Sequence, residues 1–277
     1  MKAVVISAPG RVDIVEKPVP VPGPGEALVK ISYCGICGSD LHAFETGFLP
    51  PRLTIGHEFS GVVCALGEGC HRPAPGRYVT GNNIIGCGRC RMCRRGRDNL
   101  CLEMRRLGIT AEGTMAEYAL LPVKELVELP GKASLEQAAL AEPLSVGLHG
   151  VNRVQIDPGD SALILGAGTI GLAVLALLKY KGVENVFVAE PAPARRAVAG
   201  KMGAARVIDP AAAEFESVIG ALTGGAGASV VFECAGLPET IGEACSLGGA
   251  GASVVVLGIC EQAVELNFLN LVTREIS

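Results

Sequence analysis

Cys37, His57 and Glu58 are one soft and two harder ligands of the kind zinc takes. They lie in the stretch 34–61, CGICGSDLHAFETGFLPPRLTIGHEFSG. Ser39 and His42 are close enough to Cys37 in sequence to serve as a proton path. A catalytic zinc there needs a fourth position open to water or a substrate oxygen. Glu142 is a further candidate, because it sits in the otherwise apolar run ALAEPLSVG, where a carboxylate needs a partner. It could bind zinc or hold a water beside it. The plain alternatives are a structural histidine at position 57 and an exposed helix residue at position 142.

A second cluster is more specific. Cys87, Cys90, Cys93 and Cys101 place four thiols within fifteen residues. Thiolates at such spacings can wrap one tetrahedral zinc and fill all its positions, which makes that zinc structural. Gly86, Gly88 and Gly96 ease the loop, and Arg89, Arg91, Arg94, Arg95 and Arg97 offset a four-thiolate charge. An iron–sulfur cluster, free core cysteines and a nucleic-acid zinc module are the competing readings of this loop taken alone.

Hydride chemistry needs a carrier, and Gly166-Ala167-Gly168-Thr169-Ile170-Gly171 matches the dinucleotide signature GxGxxG. It follows the strand-like ALIL and opens an apolar helix, the context the motif requires. Gly166 allows a tight turn, Gly168 leaves space for a pyrophosphate, and Gly171 lets helix and strand pack closely. The phosphates belong at the helix N-terminus, where free backbone N–H groups point. Glu190 ends the next strand 19 residues after Gly171, where a carboxylate should hold ribose hydroxyls and favour NAD over NADP. Arg195 and Arg196 lie nearby; they could be solvated helix residues, or one could cover the adenine.

Two kinds of sequence must position these residues. Up to about residue 134 the chain reads as short strands and long irregular loops, with prolines at 18, 20, 22 and 24 excluding helix there. Residues 34–40 read as a sharp glycine-rich turn, and 135–151 as a helix that Pro143 must kink or restart. From Ser161, strands alternate with short apolar helices, which means parallel sheet with crossovers. The boundary is expected near Asp157, giving domains 1–156 and 157–277 of an α/β protein. Five strands are visible by Ile259, and the dinucleotide-binding arrangement usually has six.

Composition excludes several classes. The chain has 277 residues, 24 basic and 28 acidic, for a net charge of -4, so nothing argues for nucleic acid or an anionic membrane surface as partner. Windows 162–178 and 244–260 carry no charge, but glycines interrupt both, and strand plus turn explains them better than a membrane span. The N-terminus lacks a basic-then-apolar signal layout. With eleven cysteines, several closely clustered, a reducing cytoplasm with metal-held thiols is the expected setting.

Together the motifs resemble the zinc-dependent medium-chain alcohol dehydrogenases, and within them the polyol branch of sorbitol, 2,3-butanediol and threonine dehydrogenases. The marks are CGICGSDLH at 34–42, GHEFSG at 56–61, the cysteine loop, AEPLSVGLHG at 141–150, LGAGTIG at 165–171 and FECAG at 232–236. Alcohol dehydrogenase is a known case of catalytic zinc held by cysteine and histidine. The resemblance implies a GroES-like, mostly-β catalytic domain followed by a Rossmann domain. It implies Cys37 and His57 as catalytic-zinc ligands, with Glu58 a ligand or near neighbour. Glu142 stands where many alcohol dehydrogenases carry cysteine, which favours the polyol branch. Ser39 would hydrogen-bond the substrate oxygen and His42 would relay a proton outward. The implied activity is oxidation of a secondary alcohol, a polyol or vicinal diol, with NAD as acceptor, in a homodimer or homotetramer; the alternatives are a truncated member that binds zinc and NAD without turnover, or an alcohol or threonine dehydrogenase of the same family. Members normally continue past the position of Ser277, so the resemblance also leads us to expect an incomplete nucleotide domain. NNIIG before Cys87 departs from the family pattern without an evident reason.

Overall fold

The computed structural model describes residues 1–131, 133–212 and 214–277. The chain forms two compact units, Met1–Glu142 and Pro143–Ser277.

In the first unit β1 (Lys2–Ala8) and β2 (Arg11–Glu16) pair antiparallel across a turn at Gly10. Next come β3 (Glu26–Gly35), α1 (Gly38–Thr46), β4 (Glu58–Leu66) and β5 (Tyr78–Gly81). A two-stranded ribbon, β6 (Ile84–Ile85) with β7 (Arg105–Arg106), brackets the cysteine loop. β8 (Tyr118–Pro122) and β9 (Leu126–Glu128) complete an antiparallel sheet of order β8-β3-β4-β5-β9. Its buried face carries Val29, Phe59, Val63, Val79 and Leu121, residues whose branched or aromatic side chains suit a half-buried pleat. α2 (Leu135–Ala138) ends the unit, and α3 (Ala141–Val151) opens two residues before Pro143. The proline therefore sits in the first turn, where its missing N–H costs nothing.

α1 departs from the expected turn. Gly38 is a poor helix former, but the Asp40 carboxylate reaches back to the Cys37 N–H at 2.9 Å, and Gly47 closes the helix in the left-handed conformation. Two side-chain and backbone caps thus override a weak local propensity.

The second unit alternates strand and helix: β10 (Ser161–Leu165), α4 (Thr169–Tyr180), β11 (Asn185–Ala189), α5 (Pro193–Lys201), β12 (Arg206–Ile208), α6 (Phe215–Leu222), β13 (Ala228–Glu233), α7 (Pro238–Leu247), β14 (Gly248–Val256) and α8 (Phe268–Thr273). All strand pairs are parallel, in the order β12-β11-β10-β13-β14. The central strands are buried on both faces and run almost wholly apolar, as ALIL in β10 and VFVA in β11 do. Ala162 and Ile164 of β10 pack with Val174 and Leu178, while Leu163 and Leu165 face Ile219 and Leu247. Beyond β14, Ser277 donates to the Ala252 carbonyl at 3.0 Å and accepts from Val254 at 2.8 Å. Among the described residues no helix is long and apolar enough to cross a membrane.

Candidate metal and nucleotide sites

Strand register assembles the first cluster. In the β3–β4 pair Gly35 lies opposite Glu58 and Cys34 opposite Phe59. Cys37 is two residues past the end of β3 and His57 one residue before β4, so pairing brings together residues twenty apart. Glycine at position 35 lets the Glu58 side chain come close: a Cβ there would lie 2.2 Å from Glu58 Oε2 and 3.2 Å from its Cβ, so the carboxylate would have to shift. Gly56, at φ 87, makes the turn that delivers His57, and its missing Cβ leaves room for Met115.

One ligand atom each from Cys37, His57 and Glu58 falls within 4.8 Å of the others. His57 and Glu58 are buried. His57 Nδ1 and Ser39 Oγ are buried too, with no hydrogen-bond partner among the described residues. Burial pushes the Cys37 thiol and the Glu58 carboxyl upward, so both ionise reluctantly without a cation. The donor set, with an orphaned imidazole nitrogen, fits zinc.

Glu142 stands outside that set. Its Oε1 accepts from Asn83 Nδ2 at 2.8 Å, and burial raises its carboxyl as well. His42 lies on α1, its ring tilted against Phe48 with centroids 5.5 Å apart. Cys34 turns its thiol to Thr114 Oγ1 at 3.3 Å, and burial raises that thiol to about 11.

The four-cysteine group is closed. Its sulfurs lie 3.5 Å (Cys90–Cys93), 3.9 Å (Cys90–Cys101) and 4.0 Å (Cys87–Cys93) apart. A zinc tetrahedron with bonds of ~2.3 Å has edges of about 3.8 Å, so the spacing fits. Backbone N–H groups of Cys87 and Glu103 donate to Cys101 Sγ at 3.2 and 3.3 Å, and that of Cys90 to Cys87 Sγ at 3.4 Å. Such donors favour thiolate: N–H groups of Cys93 and Leu102 bring Cys90 down to about 6, and those of Arg89 and Cys90 lower Cys87. Asp98 works the other way on Cys93, raising it by hydrogen bonding. The nearby arginines 89, 91, 94, 95 and 97 are all exposed.

In the second unit the glycine turn joins β10 to α4. Gly166 has φ 96, and a Cβ on Gly171 would lie 1.9 Å from the Gly166 carbonyl oxygen. Gly168, the N-cap of α4, has nothing within 4 Å of its Cβ position. Thr169 and Ile170 form the first turn of that helix. A cavity of about 510 Å³ is lined here by Gly166, Gly168, Glu190, Arg195, Ala211 and Ala235. It lies at the carboxyl ends of β10 and β13, where the strand order reverses and nucleotides bind in such sheets.

Glu190 is buried, with Oε2 accepting from Ala167 at 2.7 Å and Oε1 from Ala192 at 2.9 Å. The acid thus also fixes the glycine turn. Arg195 Nη1 is exposed at 4.0 Å from Glu190 Oε2. Arg196 is engaged elsewhere, donating to the carbonyls of Glu190 and Pro191 and pairing with Asp209.

Sequence reasoning missed three supporting side chains. Asp40 caps α1, Asn83 donates to Glu142, and Glu233, fully buried at the end of β13, accepts from Ala235, Gly236 and Thr240, each at 2.8 Å. Glu233 was detectable as a lone acid ending the apolar run ASVVFE. Asp40 and Asn83 sit in polar stretches and carry no such signal.

The two glycines separate ligand effects from fold effects. Gly168→Val should leave the melting temperature within about 2 °C and weaken dinucleotide binding by on the order of tenfold or more, read by fluorescence titration. Gly171→Ala should lower the melting temperature itself. Equal effects of the two on stability would contradict the assignment.

Comparison with known proteins agrees with this geometry. The family model "Alcohol dehydrogenase GroES-like domain" matches residues 23–131, and "Zinc-binding dehydrogenase" matches 169–277. L-threonine 3-dehydrogenase of Pyrococcus horikoshii is 35% identical over 98% of this chain and 80% of its own. A zinc-binding dehydrogenase from Sinorhizobium meliloti 1021, solved bound to NADP, is 37% identical with TM-score 0.92, over 99% of this chain and 82% of that one. 2R,3R-butanediol dehydrogenase from Bacillus subtilis is 32% identical with TM-score 0.90, over 99% and 82%. With a GroES-like first unit and a Rossmann-type second, the chain belongs to the zinc-dependent medium-chain alcohol dehydrogenase family.

Proposed function

We propose that this chain oxidises a secondary alcohol, of the vicinal-diol or polyol class, to a ketone with hydride transfer to NAD. Cys37, His57 and Glu58 hold the catalytic zinc, and Cys87, Cys90, Cys93 and Cys101 the structural one. The observation that carries the reading is the clustering of half-buried Cys37 with buried His57 and Glu58, with the Ser39 hydroxyl beside the Cys37 thiol.

Zinc so held supplies Lewis-acid activation of the alcohol oxygen, and NAD supplies the hydride acceptor. The protein's own part is positioning. Ser39 accepts the hydrogen bond of the substrate hydroxyl and passes the proton toward His42, three residues on along the same face of α1. The first turn of α4, with Gly166, Gly168, Thr169, Ile170 and Gly171, takes the pyrophosphate. Glu190 meets the ribose, and Arg195 flanks it. Functionally the catalytic segment is 1–156 and the dinucleotide segment 157–277, supported by the turn in which Asp160 accepts from Asp157 N–H at 2.8 Å. Assembly as a homodimer or homotetramer in the cytoplasm belongs to the same reading.

A second reading is NADP as acceptor. The exposed Arg195 beside the cavity, and NADP in the Sinorhizobium meliloti relative, favour it.

Cys37→Ser should abolish zinc-dependent NADH formation from 2,3-butanediol, sorbitol or threonine while dinucleotide binding persists. Turnover equal to that of the parent chain would overturn the site. Glu190→Ser should shift the NAD-to-NADP ratio of kcat/KM toward NADP by on the order of tenfold. An unchanged ratio would remove Glu190 from cofactor selection.

A further inference from the structure

Glu233 closes β13, the strand next to β10 and its glycine turn, and the mechanism above gives it no task. It is fully buried. Its Oε1 accepts from the N–H groups of Ala235 and Gly236 and from the Thr240 hydroxyl, each at 2.8 Å. Two successive backbone N–H groups turned to one point make a small anion nest, and here the chain fills it with its own carboxylate. The other oxygen, Oε2, is buried with no hydrogen-bond partner among the described residues. Burying an acid this way is costly, and packing alone does not account for it.

The surroundings of Oε2 do. A Cβ on Gly258, two residues past β14, would lie 2.7 Å from Glu233 Oε2. Gly236 has φ 74, and a Cβ on it would lie 2.6 Å from the Ile259 carbonyl oxygen. The N–H groups of Leu257 and Gly258 donate to the Glu233 carbonyl at 2.8 and 3.1 Å. The loops that follow β13 and β14 therefore meet backbone to backbone, with Glu233 at the contact. In the first of them Cys234, Ala235 and Leu237 line the nucleotide cavity, as does Thr240 in the first turn of α7.

A dinucleotide straddles the point where strand order reverses, one nucleotide over each half of the sheet. With the adenylate ribose at Glu190, after β11, and the pyrophosphate at the turn after β10, the nicotinamide half falls toward β13 and β14. We propose that Glu233 is a positioning residue that locks the loops after β13 and β14 together and so shapes the surface under the nicotinamide half of the cofactor, while the adenylate half is left to Glu190 and the glycine turn. The proposal rests on that reading of Glu190 and the glycine turn.

Calorimetric titration of the zinc-loaded full chain with NADH and with ADP separates the two halves. Glu233→Gln keeps the size and removes the charge that draws three donors to one oxygen. It should raise the Kd for NADH by on the order of tenfold and leave that for ADP within about twofold. If Glu233→Gln does not fold, Gly236→Ala, whose Cβ must part the two loops, should give the same split. Equal weakening of both ligands, as a residue that only supports the fold would give, or undiminished NADH affinity, overturns the proposal. Glu190→Ser should weaken NADH and ADP alike. If it weakens neither, the reading of the adenylate half itself fails and takes the proposal with it.

Discussion

The pairing of β3 with β4 is the constraint on which the first unit depends. Opposing Gly35 to Glu58 delivers three ligand types from two distant stretches to one point. A slip of one residue would flip Glu58 and its neighbours to the other face of the sheet. A side chain at position 35 would displace the Glu58 carboxylate from its present place, so the glycine and the register suit each other. Buried Phe59 and Val63 on β4 hold the register from the core side.

This arrangement carries an electrostatic cost. Asp40 and Glu58 are buried and Glu142 partly so, and each of the two glutamates is raised by burial and by the other acids near it. Acids kept so close, away from water, favour a cation among them. The cysteine loop offsets its charge differently, through backbone N–H donors at the sulfurs and a rim of exposed arginines. The first cluster brings together mixed sulfur, nitrogen and oxygen donors, and the second sulfur alone.

The second unit was readable in advance because its information is local. Strand and helix periods alternate, and GAGTIG stands between one strand and one helix. The cysteine loop was readable for the same reason, since its four thiols lie in one short segment. In the first unit residue types suggested ligands, but nothing in the sequence told that β3 and β4 align Gly35 with Glu58. The helix α1 was hidden because its formation depends on Asp40 reaching back to Cys37. Asn83 was hidden because its partner is 59 residues away. Glu190 was found by spacing, while its second task, fixing Ala167, required coordinates.

The central claim is that one chain holds two unlike metal sites, one closed by sulfur and one open. Zinc X-ray absorption on the purified protein tests it most directly. Two zincs per chain, one with four sulfur ligands and one with a single sulfur plus nitrogen and oxygen, predict an average of about 2.5 sulfurs per zinc. A single zinc per chain with four sulfurs would contradict the account, because the cluster that β3 and β4 assemble would then hold no metal.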